Sequence, residues 1–281
     1  MQILKINEWL QVKKQKYTTS STDDSIINKK LSPKDKKELI KIIEDRIKKE
    51  GYDCDLNDID VSGITDMSEL FKDSTFNGDI SGWDVSHVKD MSAMFLNSEF
   101  NGDISEWNVS KVVYMDSMFE ETTFNQDISD WDVSNVQMMN YMFFKSKFDS
   151  DISKWDVSRV NTMSHMFGYS VFNQDISYWD VSHVENMQRM FYKSNFNKNI
   201  ENWNVSNVTN MSGMFSESNF NGDISKWNVS NVTKMYGMFA YSKFDQDISR
   251  WNVRQLDEHE IENMFKYCPI ENDLSKQPKF K

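Results

Sequence analysis

The sequence predicts an α/β repeat solenoid: nine or so coils of about 24 residues, with a parallel sheet on one side, short helical segments on the other and an N-terminal capping helix. Apolar residues keep fixed positions around one tryptophan in each coil, and a separate amphipathic segment precedes the repeats. Such a constant period is typical of stacked coils that are individually too small to fold. The tryptophans recur at equal intervals without an insertion, at Trp83, Trp107, Trp131, Trp155, Trp179, Trp203, Trp227 and Trp251.

The predicted strand of each coil rests on the spacing of its apolar residues, as in Ile104, Trp107, Val109 and Val112. The spacing matches that of leucine-rich repeats, whose middle part is a short strand of a continuous parallel sheet. We therefore expect a strand of about five residues near each Trp-x-Val. Both side chains should enter the core, because alternate residues of a strand face the same side.

The other half of each coil carries apolar residues at helical spacing. Val88, Met91 and Phe95 follow this spacing, and Ser86 is a suitable N-cap. A short helix or 3₁₀ segment is therefore predicted here. The repeated methionines, such as Met91 and Met94, are expected to fill the core, since methionine adapts to irregular gaps.

The domain organisation follows from where the period starts and stops. We expect an N-terminal segment, a solenoid and a C-terminal tail, at residues 1–54, 55–275 and 276–281. Two extra residues between Trp251 and Met264 mark the end of the regular array.

The N-terminal segment contains a strong helix signal. Ser32 is a good N-cap, Pro33 suits the first helical position and Gly51 is a stop signal, so a capping helix is predicted over about 33–50. Upstream, a short amphipathic helix is expected within residues 1–17 and a polar linker over 18–24.

The charge is divided unevenly along the chain. Residues 1–54 carry 13 Lys/Arg against 9 Asp/Glu, whereas the rest carries 19 against 35. An acidic array repels phosphate, which argues against direct nucleic-acid binding. Cys54 and Cys268 lie in the first and last coils, too far apart to pair within one chain, and two free thiols fit a reducing compartment.

No segment has the length and hydropathy of a signal peptide or a membrane span. A cytoplasmic protein is therefore expected, with a cell surface or a virion as the alternative locations.

The repeated phrases Phe-Asn-Gly-Asp-Ile-Ser-x-Trp-Asp/Asn-Val-Ser and Asn-Met-Ser-x-Met-Phe occur, for example, at Phe220–Ser230 and Asn210–Phe215. These phrases resemble the BspA-like surface-protein repeat family, which is related to leucine-rich repeats, and the resemblance covers residues 55 to about 275. It implies a solenoid of bacteria, phages or protists whose role is binding or adhesion rather than catalysis. No signal-peptide pattern and no lipid-attachment cysteine are recognisable in the N-terminal region, which argues against the expectation of surface display.

Carboxylates recur at one position of successive coils, which raises the question of calcium. Paired oxygen ligands in successive turns build calcium-binding β-rolls. The alternative, which we favour, is that these side chains accept backbone N–H groups in the loops, because the glycine-rich nonapeptide of a calcium roll is missing. The carboxylates of this column are Asp79, Asp103, Asp127, Asp151, Asp175, Asp223 and Asp247, of which the first five are the candidate calcium ligands.

Two further surfaces are candidates for binding. A second column, between the core Trp and Val of each coil, is expected on the open face of the sheet, where its carboxylates suit a basic partner: Asp84, Asp132, Asp156 and Asp180. Aromatic residues also appear at positions that vary between copies, which is typical of protein-binding patches: Tyr114, Tyr141, Phe144, Tyr169, Tyr178, Tyr192, Tyr236 and Tyr241.

Catalysis finds no support in the sequence. The four histidines are too far apart to share a metal or form a relay, and no phosphate-binding glycine loop or nucleophile elbow is present. We therefore expect a non-enzymatic scaffold without a cofactor that mediates a protein–protein interaction. Two alternatives stay open: an acidic nucleic-acid mimic or phage-encoded inhibitor of a host protein, and a surface adhesin or virion protein.

Overall fold

The computed structural model describes residues 31–280, and the chain from Ser32 onwards forms one compact unit. The short amphipathic helix and the linker predicted within residues 1–24 lie outside the described residues. The remainder is a repeat solenoid whose coils follow one another at the period of the tryptophans.

The first element is helix α1, which spans Lys36–Glu50. The predicted N-cap, Ser32, is wrong: Asp35 caps the helix, and its carboxylate accepts the backbone N–H of Glu38 at 2.9 Å. Asp35 takes this role because a side-chain oxygen at the N-cap reaches the N–H three residues on. The helix ends at Gly51, whose φ of 94° is accessible mainly to glycine.

Helix α1 packs against the first coil of the solenoid. Leu39 and Ile43 are buried and belong to the same apolar core as the coils. Two ion pairs attach the helix to the first coil: Arg46 bonds to the Asp58 carboxylate at 2.6 Å, and Lys36 bonds to the Asp66 carboxylate at 3.0 Å. The helix therefore covers apolar side chains that the first coil would otherwise expose to water.

The core of the solenoid consists of identical side chains stacked along its axis. Trp83 and Trp107 stack with ring centroids 6.4 Å apart, and Phe95 stacks on Phe119 at 5.6 Å. Each indole N–H of the array donates to a backbone carbonyl of the preceding coil: that of Trp83 to Leu56 at 3.0 Å, and those of the later tryptophans to an isoleucine, as from Trp107 to Ile80 at 3.2 Å. The buried tryptophan thus has a partner for its only polar atom, and neighbouring coils are held in register.

The strands predicted near Trp-x-Val are not formed; the described residues contain only isolated parallel bridges. Trp83 N–H donates to the Ile80 carbonyl and Val88 N–H to the Val85 carbonyl, so each N–H closes a local turn instead of pairing with a neighbouring coil. Carboxylates two residues before the serines fix these turns. The sequence Asp-x-Ser is therefore a turn signal. Parallel bridges instead connect a single residue of each coil to its equivalent in the next coil, in a column that runs from Asp66 to Lys234.

The predicted helical segment around the methionines is also wrong. Ala93 and Asn97 have φ of 54° and 52°, which interrupts a right-handed helix, and every complete coil repeats this feature. Alternate N–H groups leave the segment and donate to the next coil: Ala93 to the Asp116 carbonyl at 2.7 Å, and Asn97 to the Glu120 carbonyl at 2.8 Å. Hydrogen bonds between coils thus hold non-glycine residues in the left-handed region.

The C-terminal end absorbs the two-residue insertion without breaking the stack. Met211 N–H donates to the Lys234 carbonyl, and the equivalent Met235 N–H donates to the Glu260 carbonyl, a partner two residues further along the chain. A 3₁₀ helix follows at Pro269–Asn272. Both cysteines are free and buried.

Candidate functional site

The surface with the greatest variation between copies is the turn face, which we define as residues 91–98 and their equivalents in the other coils. Met91, Met94, Phe95 and Ser98 are buried, whereas the residues between them point outward. Because the backbone is the same in every coil, these outward positions are free to differ. Residues at one position lie beside their equivalents in the neighbouring coils, so side chains that are distant in the chain form rows on this face.

Five rings on the central coils of the turn face form a continuous patch, which we call the aromatic strip: Tyr141, Phe144, His165, Tyr169 and Tyr192. Tyr141 stacks on His165 with ring centroids 4.3 Å apart. Phe144 meets Tyr169 edge to face at 5.5 Å, and Tyr169 meets Tyr192 in the same way at 5.1 Å. The rings thus support each other and present a preformed apolar surface.

Gly168 makes room for the strip. It occupies the position that holds Phe144 in the preceding coil and Tyr192 in the following one. A Cβ at Gly168 would lie 2.9 Å from Cδ2 of Phe144, too close for an ordinary contact. The Phe144 ring therefore lies against the backbone of Gly168.

His165 is the titratable member of the strip. Burial, together with the positive charge of Arg189, lowers the pKa of its imidazole to about 4, so the ring is neutral near pH 7. Its Nδ1 lies 2.8 Å from the Ser164 hydroxyl, which is also 3.2 Å from the Gln188 carbonyl. A hydroxyl that donates to the carbonyl accepts from Nδ1–H, so the pair anchors the imidazole and needs no catalytic role.

Basic side chains border the strip. Lys145 lies 5.5 Å from the centre of the Phe144 ring, and Lys193 lies 5.2 Å from that of Tyr169. Lys193 also bonds to Glu217 at 3.0 Å, and this hydrogen bond raises the pKa of Lys193. Lys145 is likewise paired with Glu121 at 2.7 Å, so the strip is bordered by ion pairs rather than by free cations.

Next to the strip, the turn face opens into a groove of about 490 Å³. It is formed by the last four coils, and its lining includes Arg189, Tyr192, Gly213, Glu217, Gly237 and Lys266. Gly213 and Gly237 occupy the position that carries Tyr141, His165 and Arg189 in earlier coils. Because glycine has no side chain to fill this space, the surface is depressed at these two positions.

The acidic and the basic side chains of the groove differ in whether they have a partner of opposite charge. Glu217 is neutralised, because it accepts a hydrogen bond from the Tyr192 hydroxyl at 2.9 Å and pairs with Lys193. Burial and the hydrogen bonds with Tyr169 and Glu217 raise the pKa of Tyr192 to about 12. Arg189 and Lys266, by contrast, contact aromatic rings and have no carboxylate partner among the described ion pairs.

The first acidic column contributes to the architecture of the loops. Asp79, Asp103 and the equivalent aspartates accept the backbone N–H of the serine two residues on, at 2.9 and 3.0 Å in these two coils. The amide oxygen of Asn77 accepts the N–H of Asn101 in the next coil at 2.8 Å. Within the described residues, no group of three or more His, Cys, Asp or Glu side chains is placed to hold a metal ion.

The second acidic column is exposed but does not lie on a sheet, because the chain turns at this point. Each of its carboxylates accepts the backbone N–H of the serine two residues later in the chain, at 3.0 or 3.1 Å: Asp84, Asp132, Asp156 and Asp180. Hydrogen bonds from the Ser86 hydroxyl and N–H lower the pKa of Asp84, and those from Ser182 do the same for Asp180. The carboxylates of Asp84 and Asp180 therefore stay ionised at neutral pH.

The aromatic residues that the sequence singles out therefore divide into two groups. Tyr141, Phe144, Tyr169 and Tyr192 come together in the strip, and Tyr236 and Tyr241 line the groove. Tyr114 lies in the bridge column and Tyr178 beside Trp179, where it is 88% exposed.

Sequence reasoning missed His165, Arg189, Gly213, Gly237 and Lys266. The sequence did contain a signal for the groove. At the repeat position of Gly213 and Gly237, glycine replaces the large residues found in earlier copies.

Three overlapping stretches of the chain, residues 43–147, 120–195 and 168–277, match a family described as "Mycoplasma protein of unknown function, DUF285". The chain belongs to this family. The aromatic strip and the groove both lie within the DUF285 matches. No curated protein and no solved structure matches the chain.

Among the described residues, no helix is both long and apolar enough to cross a membrane.

Proposed function

We propose that this DUF285 chain is a non-enzymatic scaffold that binds another protein through its turn face. The observation that carries the proposal is the aromatic strip, whose rings are rigid, mutually supported and partly exposed. Aromatic residues dominate the energy of protein interfaces because they bury a large area at little entropic cost. The resemblance to BspA-like repeats agrees with a role in binding.

The proposal is tested with a triple variant, Tyr141→Ala, Phe144→Ala and Tyr169→Ala. The immobilised protein is incubated with lysate of its source and of a host, at low and at moderate salt. We expect the wild type to retain a partner that the triple variant loses, and Tyr178→Ala to retain it, because Tyr178 is exposed but isolated. A thermal melt of each variant checks the fold. Retention by the triple variant, or no retained partner at all, contradicts the proposal.

A second candidate function is the occupation of a basic protein by the acidic side of the array. It is supported by the second acidic column, whose Asp84 and Asp180 are exposed and held ionised by hydrogen bonds. This function requires binding that weakens steeply with salt and a partner that DNA displaces. A partner that is insensitive to salt and to DNA argues against it.

A further inference from the structure

The groove on the last four coils differs from the rest of the turn face in both shape and charge. It is a cavity of about 490 Å³, within the size range of ligand sites in proteins. The described side chains around it leave two cations, Arg189 and Lys266, without a carboxylate partner. What distinguishes these two cations is their place: both line one cavity, and each lies over a tyrosine ring, Arg189 over Tyr192 and Lys266 over Tyr267.

The lining of the groove points to a peptide as the occupant. Three tyrosines, two serines, two glycines and an asparagine are among the lining residues. Tyrosine, serine, glycine and asparagine are enriched in antibody paratopes, where tyrosine provides a rigid contact area and the small residues provide adaptable hydrogen bonding. A groove of this composition suits a polypeptide better than a small apolar molecule.

The two cations of the groove predict that its ligand carries negative charge. Arg189 belongs to the first of the four coils and Lys266 to the last, so three coil intervals separate them. At about 4.8 Å per interval the separation is on the order of 14 Å, which an extended peptide spans with about four residues. The paired Glu217 lies between them and adds little repulsion. A long polyanion, in contrast, would meet the acidic columns of the array.

We propose that the groove binds an extended acidic peptide segment of a partner protein, with carboxylates at Arg189 and Lys266 and a side chain between them in the space left by Gly213 and Gly237. This inference rests on the proposed protein-binding function and assigns it a subsite. The aromatic strip is continuous with the groove through Tyr192, so one partner can contact both.

The chain offers a matched pair of variants that fill the turn face at equivalent positions. Gly237→Tyr places a ring in the groove. The backbone accepts it, because Gly237 has φ of 57° and Tyr141 has the same φ at the equivalent position. A Cβ at Gly237 meets only the Cβ of Ala240, at 3.8 Å. Ala93→Tyr adds the same ring in a coil far from the groove and is the control.

The experiment selects a random heptapeptide library displayed on phage against the wild-type chain, with counter-selection only on the support without protein. We expect clones enriched in Asp and Glu. Their binding should fall about tenfold or more in Arg189→Ala, Lys266→Ala and Gly237→Tyr, should fall with added salt, and should be unchanged in Ala93→Tyr.

Three results of the selection would overturn the inference: no clones, clones without an excess of acidic residues, or clones that bind Gly237→Tyr as well as the wild type. Near-ultraviolet circular dichroism and a thermal melt show that each variant is folded. If Gly237→Tyr still binds the lysate partner that the triple aromatic variant loses, the groove inference fails while the proposed function stands.

Discussion

His165 makes the stability of this protein depend on pH in a defined window. In the folded chain the pKa of the imidazole falls from 6.5 to about 4, first because of burial and then because of Arg189. Tyr141 covers one side of the ring at 4.3 Å and Phe144 meets it edge to face at 6.0 Å. Protonation of the folded state would place a positive charge among these rings.

The sign and the size of the effect follow from proton linkage. In the unfolded chain His165 takes up a proton below about pH 6.5, whereas the folded chain resists until about pH 4. The stability contributed by the neutral ring is therefore complete above pH 6.5 and is lost as the pH falls towards 4. Since one pKa unit corresponds to about 1.4 kcal/mol, the full loss is about 3 kcal/mol, of which about 2 kcal/mol falls between pH 7 and 5.

The measurement is urea unfolding at pH 7 and pH 5, followed by the fluorescence of the stacked tryptophans. The wild type should lose about 2 kcal/mol more than His165→Gln between the two pH values. This difference removes the contribution of all other titrating groups. His87→Gln, which replaces an exposed histidine, should behave as the wild type. If the wild type and His165→Gln lose the same free energy of unfolding, the reasoning is refuted.

Three further predictions concern the architecture. Trp131→Phe removes the indole N–H that donates to the Ile104 carbonyl at 3.0 Å and leaves a void, so the free energy of unfolding in urea should fall by about 1–3 kcal/mol; an unchanged value would contradict the role of this bond. Asn125→Ala removes the oxygen that accepts the Asp149 N–H at 2.7 Å from the next coil, and should cost about 1 kcal/mol in the same assay, whereas no loss would assign the asparagine column to another role. Burial raises the pKa of the Cys268 thiol to about 11, so an aromatic disulfide reagent at pH 8 should label this thiol only after unfolding, and rapid labelling of the folded chain would show that the site is open.

The side chains of the core could be predicted from the sequence because they repeat. Ile104, Trp107, Val109 and Val112 are all buried, as their fixed spacing indicates. The same holds for the methionines and phenylalanines of the second half of each coil. Burial depends on which residues are apolar at a constant period, and this pattern is independent of how the backbone turns between them.

The strands and short helices predicted from these apolar spacings were wrong for an identifiable reason. An apolar spacing that fits a strand also fits two successive tight turns, and the carboxylate of Asp84, which accepts the Ser86 N–H, decides in favour of the turns. The aspartate and serine of this motif are visible in the sequence. The left-handed turn at Ala93, in contrast, has no glycine to mark it.

The sequence by itself determined the period, the core residues and the helical segment that precedes the coils, because each of these is a repeated or local pattern. Only the tertiary structure decided the conformation of the turn face, since Ala93 and Asn97 are held with positive φ by carbonyls of the next coil. It also decided the strip and the groove. Tyr169 and Tyr192 meet, and Gly213 and Gly237 leave a depression, because residues in different copies of the repeat become neighbours only when the coils stack.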